Sequence, residues 1–159
     1  MKKLIVYILV VLLILSACSS SGTTTVQTRE KTETVTLYFA DKNAQGLIPE
    51  SREVMENTPE AALEALLSGT ENENSIEIIG ENTKLLSFEN KNGDVTVDFS
   101  KEFLESYTDT LVIYSVVNTI TEFPGINFVS ITIEGKEDVQ LGNYLLSEKF
   151  TRNNSIIIN

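Results

Sequence analysis

Chemistry in this 159-residue chain has to be sought among carboxylates, because histidine is absent and Cys18 is the single cysteine. Ser–His and Cys–His nucleophilic pairs are thereby excluded, as is histidine-ligated zinc or iron. No serine stands at the S-x-x-K spacing of Ser–Lys acylating enzymes. A pair of carboxylates facing a cleft could still hydrolyse a glycosidic bond, and Glu50, Asp98 and Glu122 are the candidates. Asp98 lies beside Ser100 at a strand-to-helix junction, where local hydrogen bonding is the ordinary role, and the chain has no tryptophan to stack on a sugar. Asp41, Asn43 and Gly46 match the first half of a calcium loop, but its twelfth position is Arg52, where a bidentate glutamate is required. A turn is the expected role of that segment, and neither an enzyme nor a resident cofactor or metal is expected.

The N-terminus carries a second kind of chemistry. Met1-Lys2-Lys3 precedes a 14-residue apolar run that ends in small residues at Cys18. This is the pattern of an export signal, and the run is shorter than the roughly 20 apolar residues of a spanning helix. Leu15, Ser16, Ala17 and Cys18 resemble a bacterial lipobox. The resemblance implies diacylglyceryl transfer to the Cys18 thiol, removal of residues 1–17 and attachment to the outer face of the cytoplasmic membrane. Two acyl chains, palmitate among the candidates, hold stably where one is marginal. Residues 18–32, rich in Ser and Thr and without apolar periodicity, are expected to form a flexible tether.

Loss of Lys2 and Lys3 with the signal leaves ten basic against 23 acidic residues, a formal net charge of −13. Nucleic acid is then a poor partner. Anionic lipid should repel the domain as well, which leaves the lipid on Cys18 as the attachment to the membrane. The remaining ordered chain suffices for one domain with a core of its own, without disulfides.

These residues need elements to position them. Thr32–Ala40 alternates, with Val35, Leu37 and Phe39 on one side and Thr34, Thr36 and Tyr38 on the other, as a half-buried strand does. The following segment, punctuated by Gly46 and Pro49, is expected to be a loop entering a short extended piece. Thr58 as cap, Pro59 at the first position and Glu60 in the first turn mark a helix that Gly69 closes. Asn92-Gly93 fits a type I′ turn joining two strands, with Leu86 and Phe88 opposite Val95 and Val97. From Ser115 to Ile126 the β-branched residues favour a strand. Yet Ile113, Val116, Val117 and Ile120 share one helical face, with Ser115, Asn118, Thr119 and Glu122 on another, so a helix is expected, capped by Thr108 and ended by Pro124-Gly125. A last main strand follows to Gly135, and Leu145, Leu146 and Phe150 pack a C-terminal extension. The expected fold is an α+β two-layer sandwich of order βαββαβ, with two helices on one face of a small sheet. Its single domain spans residues 33–153, and residues 154–159 form a tail.

VTLYFAD, LIPESREV, ALLSG, TKLLSF, NGDVTVDFSKEF, IYSVVNTITEFPGINFVSITIEGK and LGNYLLSEKFTRN together resemble, in order, the GerMN domain of sporulation and spore-germination lipoproteins. The resemblance covers about Val35 to Asn153. It implies a compact fold similar to ring-building domains and a non-enzymatic role in assembling an envelope complex. It also draws attention to Arg52, Asn118 and Thr119, and with them Glu122, as residues for a ligand or partner. Without the resemblance, Arg52 is expected to pair with a carboxylate and Asn118 and Thr119 to form a hydrogen-bonded helix face. Thr70 and Gly80 stand where family members commonly carry proline. Two roles remain open: a module docking a protein partner through a sheet edge or helix face, or a binder of peptidoglycan or a small ligand. The second needs a pocket near Tyr38, Tyr107 or Tyr144.

Overall fold

In this computed structural model, residues 31–158 are described; the signal segment, Cys18 and the tether through Glu30 lie outside the described residues. The first strand, β1 (Glu33–Asp41), runs antiparallel to β2 (Leu47–Val54) over eight residue pairs, from Glu33 opposite Val54 to Ala40 opposite Leu47. The connecting turn is held by the Asp41 carboxylate, which accepts from the backbone N–H groups of Asn43, Gln45 and Gly46. The loop expected after Gly46 is therefore largely a full edge strand. Pro49 is tolerated in it because Tyr38, its partner, turns its peptide groups away from β2, so the missing N–H falls on the open outer side.

Thr58 accepts from Ala61 N–H at 3.1 Å and starts α1 (Pro59–Leu67), and Gly69, at φ +92°, follows its last turn in the left-handed conformation. A two-residue strand, β3 (Ser75–Ile76), then pairs with Ala40 and Asp41 on the other side of β1. Strands β4 (Leu85–Lys91) and β5 (Asp94–Phe99) form the expected hairpin, with Asn92 and Gly93 both at positive φ. Phe88 lies opposite Val97 as expected, but an irregularity between Leu85 and Ser87 removes Leu86 from the register, and Leu86 is 49% exposed.

A short 3-10 turn (Lys101–Glu105) stacks Phe103 on Phe99 at 4.7 Å and leads to α2 (Asp109–Ile120). Thr108 precedes α2 but does not cap it. Its φ is +57°, and its hydroxyl donates to the Tyr107 carbonyl instead. From α2 the chain crosses to β6 (Phe128–Ile133), which pairs parallel with β5 from Asp94–Phe128 to Phe99–Ile133. Two three-stranded sheets result, β2-β1-β3 and β4-β5-β6, sharing one core with the helices. The chain is an α+β domain with two helices, as read from the sequence, and β2 and β3 are additions to the expected order.

Beyond β6, a small hairpin of β7 (Gln140–Leu141) and β8 (Tyr144–Leu145) leads to a segment lying along the free edge of β6. Val129 and Phe150 exchange both backbone hydrogen bonds, and Ile131 N–H donates to the Leu146 carbonyl. Residues 154–158, read as a tail, continue back to β2, where Ile158 N–H donates to the Leu47 carbonyl at 2.8 Å. The strand β4 keeps an open outer edge among the described residues.

Candidate functional site

The residues singled out by sequence fall into two separate clusters. The first surrounds Arg52 on β2. Its Nη2 donates to Glu50 Oε1 (2.5 Å) and to the Gly69 carbonyl (2.9 Å), and its Nη1 to Ser68 Oγ (3.3 Å). Nε stands 3.4 Å from Glu71 Oε1 without a directed hydrogen bond. The helix α1 has no basic residue in its last turn, so Arg52 supplies a cation and two donors to its C-terminal end from the neighbouring strand. Glu50 also accepts from Thr70 Oγ1 (2.5 Å) and from Glu71 N–H (3.1 Å). Burial works to raise the Glu50 carboxyl, but the donors Thr70, Arg52 and Glu71 outweigh it and hold the group below the usual range. Such a carboxylate stays ionised and is a poor general acid.

The second cluster is built on α2. Asn118, fully buried, faces the Asn153 peptide with its whole amide: Nδ2 donates to the Asn153 carbonyl (3.0 Å) and Oδ1 accepts from Asn153 N–H (2.9 Å). Thr119 Oγ1 accepts from Tyr38 N–H (3.1 Å), and one turn earlier Ser115 Oγ donates to the Tyr38 carbonyl (2.5 Å). Glu122 Oε1 accepts from the Tyr38 hydroxyl and forms an ion pair with Arg152 Nη2, each at 2.6 Å. Arg152 also donates to the Tyr38 hydroxyl (2.6 Å), to the Asn118 carbonyl (3.1 Å) and to Asn154 Oδ1 (2.7 Å). Burial, joined by the bond to Glu122, pushes the Tyr38 phenol above its ordinary range, so it remains a donor. The polar face of α2 is buried, and its polar atoms engage the backbone of β1 and of the C-terminal segment.

The third carboxylate, Asp98, accepts from Thr132 Oγ1 and from Gly135 N–H, both at 2.8 Å, and fixes the turn after β6. The three carboxylates of a glycosidase reading are thus engaged apart, each by its own donors. Asp41 likewise has both oxygens occupied by backbone N–H groups. Burial works to raise its carboxyl, but those bonds hold it below the usual range. Among the described residues no group of three Asp, Glu, Cys or His side chains is placed to hold a metal, and no helix is long and apolar enough to cross a membrane.

The three tyrosines do not converge. Tyr38 is buried, Tyr107 is 71% exposed, and Tyr144 bonds Thr110 and packs edge-on against Phe150. Tyr38 lies beside a concavity: a shallow groove of about 300 Å³ runs between Thr34, Thr36, Asn57 and Glu122, the residue that accepts from the Tyr38 hydroxyl, and a smaller cavity lies beneath Ile78 and Ile79.

Arg152, Asn153 and Thr70 were not foreseen. One signal for the first was present: Arg52 and Arg152 are the only arginines beyond residue 29 in a chain whose other basic residues there are lysines. A planar five-donor group is kept where several acceptors must be held at once.

The fold places the chain among known proteins. A family model described as Germane, sporulation and spore germination, matches residues 36–139. The tandem GerMN domains of the sporulation protein GerM from Bacillus subtilis match with 26% identity and a TM-score of 0.70, over 86% of this chain and 51% of that one. The chain therefore spans about half the length of that tandem structure. A crystal structure of a candidate lipoprotein from Clostridium perfringens matches with 28% identity and a TM-score of 0.53, over 76% of this chain and 87% of that one. The first GerMN domain of GerM alone, at 20% identity and a TM-score of 0.61 over 77% of this chain and 98% of that one, shares the fold. No curated protein matches. With the family model covering most of the chain and these structures sharing its architecture, the chain belongs to the Germane family, the GerMN domains of sporulation and spore germination.

Proposed function

We propose that this domain is a non-catalytic docking module of an envelope lipoprotein, tethered by lipid on Cys18 to the outer face of the cytoplasmic membrane and joined there to a protein partner during sporulation or germination. One observation carries the reading: the side chains that could do chemistry are engaged by the domain's own hydrogen-bonding groups, whereas among the described residues β4 offers an unpaired strand edge with Leu86 exposed beside it. An extended segment of a partner protein suits such an edge, since its main chain can extend the β4-β5-β6 ladder. Membership of a sporulation family and the likeness to a candidate lipoprotein support the setting.

A photo-crosslinking residue at Ser87, on β4, tests the reading in living cells. One adduct of defined mass is expected, lost in Leu86→Asp although that variant unfolds within about 2 °C of the parent. No adduct, or saturable retention of the soluble domain on isolated peptidoglycan, overturns it in favour of a wall-binding module. Mass spectrometry of the native chain beside Cys18→Ala tests the anchor: an unmodified, uncleaved Cys18 removes the lipid from the proposal.

A further inference from the structure

The pairing of β3 with β1 stops after Ala40–Ile76 and Asp41–Ser75. The next antiparallel partner of Ile78 would be Tyr38, but the peptide groups of Tyr38 are already taken by Ser115 and Thr119 of α2. The chain after Ile76 therefore peels away from β1, and α2 enters the fork. The space left behind is a cavity of about 100 Å³, lined by Phe39, Leu66, Leu67, Ile78 and Ile79. Its side-chain hydroxyl, that of Ser115, is occupied by the Tyr38 carbonyl. Leu67 and Ile79 are half-buried on the apolar side of the cavity, and Glu77, Glu81 and Asn82, all exposed, form a polar side opposite in character.

Size and charge together select an occupant. An engineered apolar cavity of about 150 Å³ holds benzene, so about 100 Å³ suits one aliphatic side chain and not an acyl tail or a sugar. Glu77 and Glu81 belong to a run from Glu53 to Thr83 with eight glutamates and no lysine or arginine. Of the two cations flanking that run, Arg52 is bound to Glu50 and the end of α1, and Lys84 is one exposed charge against the eight glutamates. A partner must bring its own positive charge, and an anionic lipid or polymer is repelled.

We infer that this cavity receives one leucine-like side chain from a lysine- or arginine-rich segment of a protein partner. The inference deepens the docking reading, and rests on it only for the partner being a protein. It concerns a different surface from β4, so each can fail alone.

The probe is the capped peptide Lys-Lys-Leu-Lys-Lys, titrated into the described domain with amide chemical shifts as readout. Shifts should centre on Leu67, Ile78, Ile79 and Gly80. Alanine in place of the peptide leucine should weaken binding about tenfold, because part of the apolar area is no longer buried. Glutamates in place of its lysines should abolish binding. Leu67→Trp, which fills the mouth, and Ile79→Asp should each remove the preference for leucine over alanine, while Glu77→Gln with Glu81→Gln should keep that preference and lose the dependence on salt. Equal binding of the leucine and alanine peptides, shifts centred elsewhere, or shifts that grow with protein concentration without peptide would each overturn the proposal; the last would make the occupant a second copy. A β4 crosslink lost while this binding persists separates failure of the docking edge from failure of the cavity.

Discussion

Glu50 and Arg52 stand two residues apart on β2, so both project from one side of the strand, and their side chains retain only 8% and 11% exposure. A pair this dry contributes less by its mutual attraction than by leaving no charge unmatched, since removing one partner strands the other. Glu50→Gln is expected to cost about 3 kcal/mol at pH 7, whereas Glu50→Gln with Arg52→Met should recover most of that loss. The pH dependence has a definite sign. The Glu50 carboxyl titrates lower in the fold than in the unfolded chain, so its contribution is complete above the ordinary glutamate value of 4.5 and is lost as pH falls through the folded value. Urea unfolding at pH 7 and at pH 3 should therefore show the gap between parent and Glu50→Gln narrowing in acid; an undiminished gap would refute the assignment. This pairing was legible in the sequence as an arginine in an acidic chain. Thr70 and the end of α1 were not, because nothing local links residue 52 to residues 68–70.

Element α2 shows how a correct secondary structure can hide its purpose. The spacing of Ser115, Asn118, Thr119 and Glu122 identified a helix against the strand preference of its β-branched residues, and burial of both faces outweighs a propensity cost of tenths of a kcal/mol per residue. The same spacing set out a hydrogen-bonded polar face, but periodicity separates polar from apolar without saying which groups the polar side meets. In the fold, Ser115 and Thr119, one turn apart, supply respectively the donor and the acceptor that a third strand would have offered Tyr38. Thr119→Val keeps the shape and deletes the acceptor, leaving the Tyr38 N–H buried and unpaired. A loss of about 2 kcal/mol is expected, with faster hydrogen exchange at Tyr38 than at Leu37, whose ladder to β2 is untouched. Uniform acceleration along β1 would instead mean general loosening. The β4–β5 hairpin was legible through Asn92-Gly93, whereas β2 was obscured by Gly46 and Pro49, two residues that read as punctuation unless the strand is known to lie at an edge.

Across the whole molecule, local order survived the reading better than closure did. Helices, hairpin and last main strand are specified by residues close together in the chain. The return of the C-terminus to β1 and β2 depends on contacts spanning more than a hundred residues, such as Arg152 with Tyr38 and Ile158 with Leu47, and its return to α2 on the clasp of Asn153 by Asn118. No periodicity announces it, and residues 154–159 read as a tail. Yet Arg152 and Asn153 complete the polar end of α2, Ile156 and Ile157 pack against the core, and Ile158 continues onto Leu47. Gly46 is confined by this segment, since a Cβ there would lie 2.7 Å from the Ile156 carbonyl oxygen. A chain ending at Thr151 is therefore expected to lose about 3 kcal/mol or more, because it leaves the fully buried Asn118 amide without partners and uncovers Leu47. Asn118→Ala should reproduce part of this loss and accelerate hydrogen exchange in residues 152–158 first. Additivity of the two changes would refute a shared closure, since a truncated chain no longer holds the peptide that Asn118 clasps.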